Sequence, residues 1–171
     1  MDSIRIFGYK SFKKLSVQLH PINLLIGANG AGKSNFLSLF EMLGNIYEKR
    51  LGAYVAQVGG VDKLLYQGRK VTDRIAVNLL IAKSEYDLVL LESDGKLIVE
   101  REVVGCYDDV CPLDLVRKNV ITEFQSESSL KDHKEEDLSN YISQIRKFHF
   151  HDTGRRSPFT ADSHIVNDAY R

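Results

Sequence analysis

Gly27-Ala28-Asn29-Gly30-Ala31-Gly32-Lys33-Ser34-Asn35 is the stretch of this sequence best equipped for chemistry. Five of its residues are glycine or alanine. Small residues let the backbone curl and turn successive N–H groups toward one point, which makes a nest for an anion. Lys33 adds a positive charge and Ser34 a hydroxyl. The spacing is Gly27, four residues, Gly32, Lys33, Ser34, and that is the pattern of a phosphate-binding loop. Such a loop needs a strand before it and a helix after it. Ile22 to Ile26 is an apolar run with Asn23 inside it, and reads as a buried strand. A helix is expected from Lys33, whose N-terminal amides and dipole would add to the anion site. In that chemistry Lys33 serves the β- and γ-phosphates and is the catalytic candidate. Ser34 is the Mg²⁺ ligand.

Other residues suggest chemistry less strongly. His149, His151 and Asp152 share a strand-like run, and histidines two apart could hold a metal, but no third ligand accompanies them. Cys106 and Cys111 are too few for a four-ligand metal site and read as free thiols. Gln57 reads as a surface amide. Leu88 to Glu92 has the shape of an apolar strand ending in an acid, but the turn signal Ser93-Asp94-Gly95 follows it. An ordinary hairpin is the simpler reading.

The elements that must position the loop follow from periodicity. Ile4, Ile6 and Gly8 alternate with Arg5, Phe7 and Tyr9 as a strand. Lys10 to Lys14 is a lysine-bearing turn, and Leu15, Val17 and Leu19 mark a second strand. After the loop, Phe36, Leu37, Phe40, Leu43, Ile46 and Tyr47 form a helical stripe that reads as core. Arg50 to Gly52 ends the helix. A further helical turn lies over 53–57, and a short helix over Val61 to Tyr66 stops at Gly68. Three strands make an antiparallel meander over Ile75 to Ile81, Tyr86 to Glu92 and Lys96 to Val104. The stretch 105–119 has little pattern, with a turn of helix at 113–118. The stretch 126–137 is strongly polar and reads as a solvated face. Leu138, Tyr141, Ile142 and Ile145 recur at helical spacing.

The chain has 171 residues, 43% hydrophobic and 27% charged, with a formal net charge of zero. That is ordinary globular composition, and global charge gives no argument for nucleic-acid or membrane binding. No apolar run approaches the roughly 20 residues a bilayer requires. The expected location is cytoplasmic.

Gly27 to Asn35, preceded by Phe7-Gly8-Tyr9-Lys10-Ser11-Phe12, resembles the head domains of the RecF/SMC branch of ABC-type ATPases. The nearer likeness is to the bacterial "predicted ATPase" group within it. Gly59 to Leu65 and Phe148 to Thr153 resemble further segments of that group, so the likeness spans nearly the whole chain. It implies an α/β P-loop NTPase head of the ABC type with an antiparallel β-subdomain. It implies ATP and Mg²⁺ as ligands and a head-to-head homodimer that sandwiches two nucleotides. Gly27, Ala28, Asn29, Gly30, Ala31 and Gly32 would supply the loop, with Lys33, Ser34 and Asn35 beside it. Lys10 and Ser11 would approach the nucleotide, and His151 or Asp152 would stand where the family has a glutamine. DNA as a partner, and a role in DNA repair or antiphage defence, follow by family analogy alone.

The family also uses an apolar strand ending Asp-Glu, a Ser-Gly signature loop and a switch histidine. These residues do not supply them, and in the family they lie far downstream. Residues 1–171 are therefore expected to form the N-terminal portion of one head domain, an incomplete fold that binds ATP and hydrolyses it poorly alone. Two alternatives stand beside this reading. One is a small P-loop kinase, which the two strands before the loop and the meander after it disfavour. The other is a non-catalytic nucleotide-binding or dimerisation module.

Overall fold

The computed structural model describes residues 2–82, 84–106, 117–132 and 136–145. Its frame is one antiparallel sheet of six strands in the order β2-β1-β3-β4-β5-β6. The strands are β1 (Ser3–Tyr9), β2 (Phe12–Gln18), β3 (Arg74–Ile81), β4 (Ser84–Ser93), β5 (Lys96–Cys106) and β6 (Arg117–Gln125). Three helices accompany it: α1 (Lys33–Tyr47), α2 (Leu51–Gln57) and α3 (Glu136–Ser143). The meander expected from the sequence is present as β3, β4 and β5. The two strands before the loop are present as β1 and β2.

Period-two alternation decides which face is inside. On β3, Ile75, Val77, Leu79 and Ile81 are buried, and their neighbours are half-exposed. The same rhythm places Tyr86, Leu88 and Leu90 of β4 inside. The helices cover this one face, with α2 on β5, α3 on β4, and both against α1. Leu39, Met42, Leu43 and Ile46 of α1 are buried in that core. Burying each such side chain contributes about 1.5–3 kcal/mol.

Two irregularities carry consequences. Gly8 has a positive φ of 71° and drops out of the β1–β2 pairing between Phe7↔Lys14 and Tyr9↔Phe12, with the register unchanged. Tyr9 is thereby fully buried instead of lying with Arg5 and Phe7 on the outer face. The second irregularity is a bulge on β5 at Glu100, where the pairing with β4 shifts from Leu90↔Val99 to Val89↔Arg101. It turns Glu102 inward, where the alternation places it outside. The buried Glu102 carboxylate accepts hydrogen bonds from the Tyr86 and Ser128 hydroxyls and from the Ser129 amide at 3.0 Å.

Several expectations are corrected. Ile22 to Ile26 is not a strand of this sheet, and Ile22, Leu24 and Ile26 are 90%, 81% and 83% exposed. A run apolar on both faces is suited to burial between two layers, and no described strand pairs with it. On α1, Leu37 is 47% exposed, and Phe40 and Tyr47 are only half-buried, while Leu39 and Met42 belong to the core. The helix ends at Tyr47, and Lys49 takes a left-handed φ of 55° before α2 begins. The helical turn over Val61 to Tyr66 shrinks to a 3₁₀ turn, Val61–Lys63. Residues 117 and 118 belong to β6, so no helix extends over them. Leu138 and Ile142 of α3 are buried as its periodicity indicates, and Tyr141 is not. His149, His151, Asp152 and Cys111 lie outside the described residues.

A methyl group at Gly8 would meet the Arg74 carbonyl oxygen at 2.2 Å. Gly8→Ala is expected to destabilise the chain by about 2–4 kcal/mol through strain and a forced shift of β3. The urea unfolding midpoint measures this, and an unchanged midpoint refutes it. Burial also raises the phenol pKa of Tyr9 and Tyr54, and of Tyr86, whose neighbour Glu102 adds to the effect. The folded state therefore holds these protons beyond the ordinary value of 10.0 at which the unfolded chain releases them. The associated stability is full below that pH and falls as pH rises above it. A urea midpoint that stays level from about pH 9 to 11 would contradict this.

Candidate nucleotide site

The loop expected at 27–34 does lead into the long helix. Its curl is built by Gly30 and Gly32, with φ of 84° and 93°. Gly32 is the N-cap of α1 and its carbonyl accepts the Phe36 amide at 2.9 Å. Glycine has no side chain with which to cap a helix, and no other side chain caps this one. The first turn carries no acid. The amides of Gly30, Gly32, Lys33 and Ser34 make no backbone hydrogen bond among the described residues. A helix start with open donors and no competing carboxylate is an anion site.

Lys33 folds back over the loop. Its Nζ donates to the carbonyls of Gly27 at 2.6 Å and Ala28 at 2.7 Å. The Ala31 amide donates to the Ala28 carbonyl at 3.2 Å and closes the turn. The ammonium thus already stands across the mouth of the nest. Asn29, at the tip, is exposed. The Ser34 hydroxyl sits on the first turn of α1, beside the open amides, where a metal ion bridging bound phosphates would find a hard oxygen ligand. The donor set fits a polyphosphate with a divalent cation: many N–H groups, one ammonium and one hydroxyl.

Lys10, Ser11 and Asn35 meet beside the loop. Asn35 Nδ2 donates to Ser11 Oγ at 3.0 Å. Ser11 Oγ and the Phe12 ring press close on Gly32, 3.1 and 3.3 Å from where a β-carbon would stand. The β1–β2 turn therefore backs the loop directly. Lys10 Nζ lies near the Tyr9 ring and donates to Ser38 Oγ at 2.8 Å.

Ser38 is a hub that the sequence does not advertise. Its Oγ donates to the Asn35 carbonyl at 2.8 Å and so must accept from Tyr9 and Lys10. Its own carbonyl accepts the Tyr54 hydroxyl at 3.3 Å. One residue on the second turn of α1, through its hydroxyl and its carbonyl, thus joins β1, α1 and α2. Neither is the wall formed by residues 62–70 evident beforehand, although Lys63, Arg69 and Lys70 within nine residues were a visible signal.

No metal-type cluster of histidine, cysteine and acid exists among the described residues. No helix among them is long and apolar enough to cross a membrane.

A family profile described as AAA ATPase domain matches residues 1–152. The chain belongs to this AAA ATPase domain family. No curated protein matches the chain. Membership assigns nucleotide binding and ATPase chemistry in general to the AAA ATPase domain, and the loop at 27–34 lies inside the matched span. Gly32→Ala in this AAA ATPase domain should weaken ATP binding by roughly tenfold or more, because a side chain there is strained and displaces Ser11 and Phe12 from behind the nest. Isothermal titration measures it, and unaltered affinity would show that the loop does not need this curvature.

Proposed function

We propose that this chain is the nucleotide-binding, N-terminal portion of a RecF/SMC-like ATPase head. ATP is the ligand, with Mg²⁺. The observation that carries this reading is the set of open amides at the start of α1 with the Lys33 ammonium folded across them. Phosphate oxygens replace the carbonyls of Gly27 and Ala28 as partners of Lys33. The loop amides take the β-phosphate, Ser34 Oγ offers the metal ligand, and Asn35 lies beside the far end of the tail. When bound, the metal ion neutralises charge on the outer phosphates.

The exposed run Ile22 to Ile26 supports the rest of the proposal. Burying Ile22, Leu24, Leu25 and Ile26 would yield about 1.5–3 kcal/mol per side chain. Its backbone makes no hydrogen bond with a described strand. Both deficits are removed at once by added strands on either side. In the resembled family the strand ending Asp-Glu would be such a neighbour, and would carry the acid that activates water. The same reading makes head-to-head pairing over two nucleotides the active arrangement. DNA repair or antiphage defence is the setting that analogy suggests. Among the alternatives, the antiparallel meander that follows α2 disfavours a small kinase, whose parallel sheet would need a strand there.

Two measurements test this. Lys33→Ala should weaken Mg-ATP binding by roughly 10–100-fold, the worth of a charge-assisted contact. The chain alone should turn over ATP well below about 1 s⁻¹. Equal affinity in the variant removes the site. Turnover at ordinary ATPase rates, lost in Lys33→Ala, would show that no further strand is required.

A further inference from the structure

The Ser38 hydroxyl is buried, yet it holds a lysine. Its Oγ accepts from the Lys10 ammonium at 2.8 Å and from the Tyr9 hydroxyl at 2.9 Å, and donates to the Asn35 carbonyl at 2.8 Å. We propose that Ser38 is a positioning residue for the phosphate site. It fixes the Lys10 ammonium where its charge acts on the bound phosphate tail. This rests on the reading of the loop as a triphosphate site.

Placement is the first argument. Ser34 and Ser38 are four residues apart on α1 and so share one face of the helix, with β-carbons about 5–6 Å apart. The Lys10 ammonium is held against the inner of the two. It therefore stands about one helical turn from the hydroxyl offered to the metal ion. Asn35, next to Ser34, joins the same network through its carbonyl, and its side chain bonds Ser11. Lys10 and Asn35 also line a polar groove of about 790 Å³ beside the loop. The charge thus lies on the open side of the network.

The second argument is how firmly the lysine is held. Fixing a lysine head costs rotamer entropy, and most surface lysines keep theirs. Here both ends are fixed. The Lys10 backbone takes a left-handed φ of 46° in the link between β1 and β2, and its amide donates to the Leu64 carbonyl at 2.7 Å. Its head bonds Ser38 and lies 5.4 Å from the centre of the Tyr9 ring, within cation–π range. Backbone strain at a non-glycine residue concentrates at functional sites. Partial burial also strengthens the attraction of an ammonium for an anion, because the local dielectric is lower than that of water.

The Ser38 hydroxyl accepts two hydrogen bonds and donates one, which uses its full capacity. Its rotor is therefore set, and with it the place of the ammonium. The tie from Tyr54 to α1 uses the Ser38 carbonyl instead. Ser38→Ala thus removes the hold on Lys10 and leaves that contact with α2 in place.

A double-mutant cycle on the full chain tests this, with Mg-ATP affinity read by isothermal titration. Lys10→Met, which removes the charge and keeps most of the stem, should weaken binding by roughly tenfold. Ser38→Ala should weaken it by roughly three- to tenfold. In the Lys10→Met background Ser38→Ala should change affinity by less than about twofold, because no ammonium is left to position. A purely structural Ser38 would weaken binding equally in both backgrounds, and that result overturns the proposal. So does a Lys10→Met chain that binds Mg-ATP as wild type does, a result that needs no change at Ser38. Lys33→Ala probes the loop separately. If it leaves Mg-ATP affinity unaltered, the loop reading falls; if it impairs binding while the cycle is additive, only the role of Ser38 falls.

Discussion

The structure depends on one unsatisfied demand: a cluster of main-chain amides at the start of α1 that the described residues leave without acceptors. The C-terminus of α1 and the N-terminus of α2 are dealt with internally. The Glu127 carboxylate caps α2 by accepting from the Leu51 and Gly52 amides at 3.0 and 3.4 Å. The α1 C-terminus closes through bonds from Glu48, Lys49 and Arg50 to the carbonyls of Gly44, Ile46 and Asn45. At Gly32 there is neither side-chain cap nor acid. An anion is therefore the natural complement, because the helix start carries positive partial charge as well as open donors.

Holding such an end in place requires support at both ends of α1. At the loop end, Ser38 ties the helix to β1 and α2, and the β1–β2 turn packs behind Gly32. At the other end, residues 126–132 cross over from β6. Lys131 pairs with Glu48 at 2.6 Å, and Asp132 pairs with Lys49. These exposed pairs contribute little singly. What anchors the crossing is Glu102, since Ser128 and Ser129 both bond its buried carboxylate. The bulge that turns Glu102 inward thus fixes the segment that caps α2 and grips α1. A carboxylate buried this deeply is tolerated only because three donors meet it.

Much of this was legible. The meander, the helix after the loop and the loop residues themselves follow from alternation, helical spacing and glycine placement. The failures share a cause, which is that periodicity assigns faces only while the strand is regular. The left-handed Gly8 breaks the alternation of β1 without changing its register, and the β5 bulge shifts the register, so Tyr9 and Glu102 both lie on the inner face. On α1 the stripe was displaced because Leu37 and Phe40 are as apolar as Leu39 and Met42, and hydrophobicity alone does not say which of two adjacent stripes meets the sheet. β6 was missed because its residues, Arg117 to Gln125, mix charge and apolar groups, as an edge strand allows. The sequence marks out the loop, whose spacing phosphate geometry dictates. It does not mark Ser38, whose hydrogen bonds come from distant segments.

The apolar run before the loop has the same origin as the site. A phosphate nest needs a chain that enters straight and leaves as a helix, with its bend fixed between the two. Here the exit is fixed by α1 and the bend by Gly30 and Gly32. The entry, from Ile22 to Ile26, is unpaired among the described residues. Lys33 reaches back to the carbonyls of Gly27 and Ala28, the residues where that entry ends. The ammonium therefore supplies the only side-chain hydrogen bonds from the helix to the end of the entry among the described residues. When phosphates draw that ammonium away, the entry loses its tie to α1 unless pairing along 22–26 replaces it. On this account filling the nest would loosen the run that covering strands must order, which opposes the two events instead of coupling them favourably.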